Sequence, residues 1–387
     1  MNKKITIIGS GPAGSYLAYN LALNNQEVLL LEKDSWPRYK ACGGALSEKS
    51  LKLLADKNIR LTEDIIKNRV KKFVFRFDYT SVFQTEYQGE PFKLVDRKKF
   101  DDFLLKKAVE AGAEFKAGNE IKLIEDKNGE IILKADCGNY HSDIIVGADG
   151  ANSLTASAFN AYPDNIHKYK GTALESEIYH NEDKYYQKYI EENNIIVDFG
   201  QLDNGYAWVF PKEDQLSLGL GNLKFMKSSL KSKFFDYLAR LKLSYKEENV
   251  FLKGHPIPCY SKDAQIKRAG ENYILVGDAA YLADAFIGEG IFYALKSAEL
   301  AAESIIEHLE SKTELSLYNQ KIETELGDEL AAAEKLANIF YNQQNLVKKV
   351  ISLRPDLLKE FLDAVQGKSS YQELSSVFNF IKKVLNL

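Results

Sequence analysis

Lys4-Ile5-Thr6-Ile7-Ile8-Gly9-Ser10-Gly11-Pro12-Ala13-Gly14, then a helical run to Leu23, then Glu27-Val28-Leu29-Leu30-Leu31-Glu32, is the stretch on which the fold turns. An apolar run of strand length, a turn with glycines at its first, third and sixth places, an amphipathic helix and a second apolar run closed by an acid spell a βαβ unit. Gly9 permits the tight turn, Gly11 lets a pyrophosphate approach the backbone, and Gly14 lets the helix lie close to the strand. The helix start offers unpaired N–H groups and partial positive charge to phosphate, and Glu32 falls where a ribose hydroxyl needs an acceptor. The pattern predicts a dinucleotide site.

The 387 residues suit two or three domains. With 45% hydrophobic and 27% charged residues and a net charge of −4, the composition is that of a globular chain with no field to attract nucleic acid. Cys42, Cys137 and Cys259 are too few and too scattered for a disulfide framework, and neither they nor the dispersed histidines have metal-ligand spacing, so no metal is expected. A first strand near residue 4 leaves no room for a signal peptide, and no apolar run has the length of a membrane span. A cytoplasmic location is expected.

Working outward, Lys33 to Ser47 reads as a basic, turn-rich loop leading into a helix from about Glu48 to Ala55. Arg69 to Phe83 and Gln84 to Leu94 alternate like the two strands of a hairpin, and a helix follows Asp96 as far as Ala111-Gly112. Short strands are predicted at Glu114 to Lys116, Glu120 to Asp126, Ile131 to Ala135 and Tyr140 to Val146. Gly171 to Leu220 is mostly strand with a polar helix over Lys184 to Asn193, and a helix runs from about Leu223 to Lys242. His255-Pro256-Ile257-Pro258 returns the chain to its first domain, and from Ile291 on it is helical with breaks near Arg354-Pro355 and Gln366-Gly367.

Two further glycine-acid turns lie far from the first. Asp143-Ile144-Ile145-Val146-Gly147-Ala148-Asp149-Gly150 is an apolar strand running into an Asp-Gly turn; Asp149 either joins the site or caps a helix. Tyr273-Ile274-Leu275-Val276-Gly277-Asp278 ends a strand in an acid suited to a polyol chain, and Gly288-Glu289-Gly290-Ile291 opens a helix whose N–H groups suit a ring carbonyl that gains electrons on reduction.

These motifs, in this order, resemble the flavoprotein family that includes para-hydroxybenzoate hydroxylase, flavin-dependent halogenases and geranylgeranyl reductases, over about residues 1 to 330. Pro37-Arg38-Tyr39-Lys40-Ala41-Cys42-Gly43-Gly44, Tyr206-Ala207-Trp208-Val209-Phe210-Pro211 and the tail Gly367 to Leu374 look most like the geranylgeranyl reductase branch. The resemblance implies an α/β fold: a Rossmann-like FAD-binding domain (1–60, 97–165 and 255–330), an inserted antiparallel β-sheet substrate domain (61–96 and 166–254) and a helical C-terminal region (331–387). It implies FAD held by Gly9, Gly11, Ala13, Gly14, Glu32, Lys33, Arg38, Ala41, Cys42, Gly43, Gly44, Arg97, Ile121, Asp149, Asp278, Gly288, Gly290 and Ile291. Arg38 and Lys40 are read beside the pyrophosphate, and Tyr206, Trp208, Phe210 and Pro211 along an isoprenoid chain.

The activity implied is reduction of isoprenoid double bonds, with electrons from an external donor, a reduced nicotinamide or a protein carrier. Cys42 is read as a proton donor or as a wall of the flavin pocket. An aromatic monooxygenase or halogenase, and a non-catalytic flavin- or lipid-binding protein, are the rival readings. Amphipathic patterns at Phe340 to Leu353 and Phe378 to Leu387 suit either a transient membrane-surface contact or packing on the protein itself. One departure is plain: Ala285 stands where the family usually has proline before the Gly-Glu-Gly turn.

Overall fold

The computed structural model describes residues 4–77, 81–127, 129–179, 183–226, 229–244 and 250–384, and the backbone alone for 378–384. At its centre is a five-stranded sheet in the order Tyr273–Leu275, Ile144–Gly147, Ile5–Ile8, Val28–Leu31, Glu114–Lys116, with every neighbouring pair parallel. The first helix, Pro12–Leu23, is buried on nearly all sides rather than along one stripe. It packs between this sheet and the helices Arg97–Glu110 and Ile291–Ser311, so its Ala, Leu and Tyr side chains find apolar neighbours all round.

The strand expected over Tyr140 to Val146 is two strands. Gly138–Ser142 pairs antiparallel with Glu130–Ala135 in a three-stranded sheet, whereas Ile144–Gly147 enters the parallel sheet. The corner between them is tied by Asp143, whose carboxylate accepts the Lys4 N–H at 2.7 Å. The hairpin expected over 69 to 94 also divides: Lys72–Arg76 and Val82–Glu86 form it, while Ile66–Val70 and Phe92–Val95 pair with each other beside Ala45–Leu46.

The larger sheet has seven strands in the order Lys253–Pro258, Lys170–Tyr179, Gln215–Asn222, Gly205–Pro211, Asn194–Leu202, Lys72–Arg76, Val82–Glu86. All contacts are antiparallel except the parallel one between Asn194–Leu202 and Lys72–Arg76. The two-residue period sends Ala207, Val209, Leu216, Leu218 and Leu220 to one face, where Phe234, Tyr237 and Leu238 of the helix Leu230–Leu241 cover them. That helix starts later than the pattern at Leu223 suggests, because Ser229 caps it and Leu223 packs elsewhere. The opposite face is the one that bears on function.

Against that opposite face lie Asp328–Asn342, Gln344–Leu353, Leu357–Gln366 and Tyr371–Val384. Phe340, Tyr341, Val347, Val350 and Ile351 turn inward to Phe75, Phe77 and Phe199, so the apolar stripe over Phe340 to Leu353 is packed on the protein itself. The second amphipathic stretch, Phe378 to Leu387, lies outside the described side chains. Among the described residues no helix is long and apolar enough to cross a membrane.

Candidate cofactor and substrate site

The glycine turn has no room for side chains where it matters. Gly9 has φ +99, and a Cβ there would stand 2.3 Å from the Ala148 carbonyl oxygen; one on Gly14 would stand 1.9 Å from the Gly9 oxygen. Gly11 is the N-cap of Pro12–Leu23 and leaves that helix start without a side-chain cap, so its N–H groups remain available to an anion. Glu32, buried at the end of the second strand, accepts hydrogen bonds from Ser10 N (3.0 Å), Ser10 Oγ (2.7 Å) and Asp34 N (3.1 Å).

Two arginines close this end. Arg97 makes a two-point contact with Asp101 at 2.9 and 3.1 Å. Burial works against its charge, yet Asp101 and the nearby Cys42 hold its proton more firmly than in water. Arg38 stacks over Trp36 with its guanidinium 5.2 Å from the ring centre, and its Nη2 would lie 3.5 Å from a Cβ on Gly11. Its Nη1 is buried and faces Asp101, 3.4 Å from Oδ2, which leaves Nη2 as the guanidinium nitrogen on the side of the turn. The open helix start, the Gly11 gap and the guanidinium beside it together fit the pyrophosphate of FAD.

At the far end, Asp278 follows the strand Tyr273–Leu275, with its Oδ2 3.5 Å from His255 Nε2. Burial opposes its charge, but His255, Lys40 and Arg97 pull its pKa below the ordinary range. Lys40 lies 2.9 and 3.1 Å from the two ring nitrogens of His255, so it belongs to this group and not to the pyrophosphate turn. Burial lowers its pKa to about 8 and pushes that of His255 down as well, which suits a neutral imidazole accepting from the ammonium. The helix Ile291–Ser311 starts here on an uncapped Gly290. Glu289 beside it is anchored by Ser47 Oγ and Lys49 Nζ, both at 2.7 Å.

The loop with Ala285 is held by side chains instead of a proline ring. Asp284 Oδ1 accepts from Phe286 N at 2.5 Å and Ile287 N at 3.2 Å, and its Oδ2 accepts from Tyr371 Oη at 2.8 Å. Tyr341 donates to the Phe286 carbonyl at 2.6 Å and Tyr206 to that of Ile287 at 2.5 Å.

Between these ends lies a cavity of about 670 Å³. Its floor is the free face of the seven-stranded sheet, and alternation places one side chain in two there. Strand by strand the floor runs Phe73 and Phe75, Ile195 and Val197, then Tyr206, Trp208 and Phe210, then Gly221, then Ala173 and Glu175, and ends on the edge strand at Lys253 and His255. It passes from wholly apolar to charged. Phe361, Leu362 and Val365 of Leu357–Gln366 roof the apolar part, Phe361 meeting Phe75 edge to face at 5.8 Å. The Cys42-Gly43-Gly44 loop reaches the aromatic strand so closely that a Cβ on Gly43 would stand 2.7 Å from the Phe210 ring. Cys42 Sγ accepts the Gly44 N–H at 3.4 Å.

Gly9, Gly11, Ala13, Glu32, Lys33, Arg38, Ala41, Cys42, Gly43, Gly44, Arg97, Ile121, Asp149, Asp278, Gly288, Gly290, Ile291, Tyr206, Trp208 and Phe210 all line this cavity. Gly14 lies behind the turn and Pro211 outside the lining, its carbonyl accepting from Asn68 at 2.7 Å. Asp149 spends its carboxylate on Ser153 Oγ, Thr155 N and Thr155 Oγ1, which is the capping role. Sequence reasoning missed His255, Glu175, Asn119 and the roof residues, none of which belongs to a glycine motif. The alternation around Glu175 was the one signal for it: two acids, Glu175 and Glu177, on one face of a strand.

Residues 2–177 match the family model described as FAD binding domain. An uncharacterized protein of Methanosarcina barkeri is 34% identical over 310 residues, covering 79% of this chain and 75% of that one. A geranylgeranyl diphosphate reductase of Synechocystis sp. is 28% identical over 387 residues, covering 92% and 89%. Among solved structures, a geranylgeranyl bacteriochlorophyll reductase-like protein of Thermoplasma acidophilum has a TM-score of 0.70 at 21% identity over 93% of this chain and 98% of that one. A flavin-dependent brominase has a TM-score of 0.74 at 19% identity over 100% and 99%. At such identities these two likenesses speak to the fold alone.

Proposed function

This chain belongs to the geranylgeranyl reductase family of FAD-dependent oxidoreductases, and on that premise we propose that it saturates carbon–carbon double bonds in a geranylgeranyl-type isoprenoid chain. The observation that carries the reading is the cavity floor, apolar and aromatic at one edge, charged at the other, under a roof of Phe361, Leu362 and Val365. Such a slot suits a long hydrocarbon better than a small polar ring.

Bound FAD supplies the hydride and takes its electrons from an external donor. The chain's own residues do the rest. Gly9, Gly11 and the start of Pro12–Leu23 would hold the pyrophosphate, with the Arg38 Nη2 beside Gly11 to neutralise it, and Glu32 would take a ribose hydroxyl. Asp278, near neutral His255, would accept from the polyol chain, and the backbone N–H groups at Gly290 and Ile291 would serve the ring. Tyr206, Trp208 and Phe210 lie along the prenyl chain, their ring faces stabilising positive charge that develops as a double bond is protonated. The roof helix excludes water from that charge.

The test is anaerobic. Protein reduced with dithionite is mixed with geranylgeranyl diphosphate and related prenyl lipids, and the products are weighed. Gains of two hydrogens with reoxidation of the flavin are expected. No gain with any prenyl substrate, together with oxidation or halogenation of phenols in air, would overturn the reading.

A further inference from the structure

An isolated alkene needs a proton as well as a hydride, and the cavity holds few groups able to give one. Tyr206 is committed to the Ile287 carbonyl, and burial drives its pKa far up. His255 and Lys40 are committed to each other beside Asp278. Glu175 is different. It stands on the cavity face of Lys170–Tyr179 with 2% of its surface exposed, between Gly219 and Lys253 on the neighbouring strands. Among the described residues one hydrogen bond reaches its carboxyl group, from Ser217 Oγ to Oε1 at 3.1 Å.

Ser217 in turn lies 3.5 Å from Trp208 Nε1, and that nitrogen would be 3.4 Å from a Cβ on Gly43. Glu175 is therefore linked, through two polar groups, to the loop that carries Cys42 and to the ring that flanks the proposed prenyl chain. From these contacts we infer that Glu175 is the catalytic acid that protonates the alkene.

The step balances. The alkene takes a hydride at one carbon from the reduced cofactor, which is thereby oxidised, and a proton at the neighbouring carbon from Glu175, whose O–H electron pair stays on the carboxylate. Water then returns the proton before the next turnover. Burial raises the Glu175 pKa to about 7 and adjacent Glu177 adds to this, whereas Lys212, Ser217 and Arg97 oppose it. Tyr39 from the flavin loop and Lys253 from the next strand complete its ionisable surroundings. Half of the enzyme thus holds the proton near neutrality, the range that favours general acid catalysis. Ser217, which donates to Oε1, is a positioning residue.

This inference rests on the alkene-reductase reading, and one experiment separates the two. Wild type, Glu175→Gln and Cys42→Ser, each loaded with FAD and reduced under argon, are mixed with geranylgeranyl diphosphate, and flavin reoxidation is followed from pH 5.5 to 8.5. For Glu175→Gln the flavin spectrum and content are expected to match wild type, and single-turnover reoxidation to slow by about 10²–10⁴-fold. The wild-type rate is expected to fall above about pH 7, and that dependence to vanish in the variant. Independently of turnover, a protonated-carboxyl infrared band that titrates in the same range is expected to disappear in Glu175→Gln. Glu175→Asp, which keeps the acid, recovers part of the rate. A wild type that reduces the substrate while Glu175→Gln keeps its rate and pH profile, or a loss confined to Cys42→Ser, overturns the assignment alone. A wild type with no product overturns the reductase reading and this assignment with it.

Discussion

Trp208 and Glu32 sit in different parts of one cavity, and their neighbours predict different failures. Glu32 accepts from Ser10 N, Ser10 Oγ and Asp34 N, so Glu32→Ala strands the two buried donors of Ser10 at the glycine turn, each at a cost on the order of 1–3 kcal/mol. FAD affinity is expected to fall at least about tenfold, as read by fluorescence titration. Trp208 touches none of those groups; its indole lies over Gly219, where a Cβ would be 2.0 Å away. Trp208→Ala is expected to keep its flavin and lose most of its single-turnover rate with a prenyl substrate. Equal loss of flavin in both variants would contradict this division.

Among the described side chains of the helix Tyr371–Val384, the Tyr371 phenol reaches the loop before the Gly-Glu-Gly turn. Asp284, fully buried, has its pKa raised to about 6 by burial, against the pull of Phe286 N and Tyr371 Oη. An acid raised in the folded state stabilises most at pH below its unfolded value and loses that contribution as pH climbs through the folded one. The window here is about pH 4 to 6, and the sum is on the order of 3 kcal/mol. Tyr371→Phe removes a donor to the ionised form. It is expected to cost about 1–3 kcal/mol at pH 8 and less at pH 5, by urea unfolding at the two values. The same cost at both would show that the phenol does not serve the charge. The elements that failed to show in the sequence fail for related reasons. The βαβ turn is local, so spacing alone reveals it. The pairing of Lys40 with His255 spans 215 residues, and the division of the expected 69–94 hairpin depends on which strands find partners in space.

At the scale of the whole molecule, the cavity walls come from the parallel sheet, the seven-stranded sheet and the C-terminal helices together. A ligand held by all three couples them. FAD at a hundred times its dissociation constant should add about 2.7 kcal/mol, and the thermal transition is expected to stay single while its midpoint rises. Two transitions of which FAD moves one would mean that the sheets melt independently. The α/β order and the FAD cofactor were legible in three glycine motifs because each is a short-range device. The floor that grades from Phe73 to His255 was not, since it is assembled from strands whose spatial order differs from their order in the chain. The bond from Tyr371 to Asp284 crosses 87 positions. At ~5–20 residues per second a ribosome needs roughly 4 to 17 s to cover that distance. For that interval the nascent loop at 284–288 lacks its phenol clasp, and a chain that stops short of residue 371 leaves Asp284 without that donor.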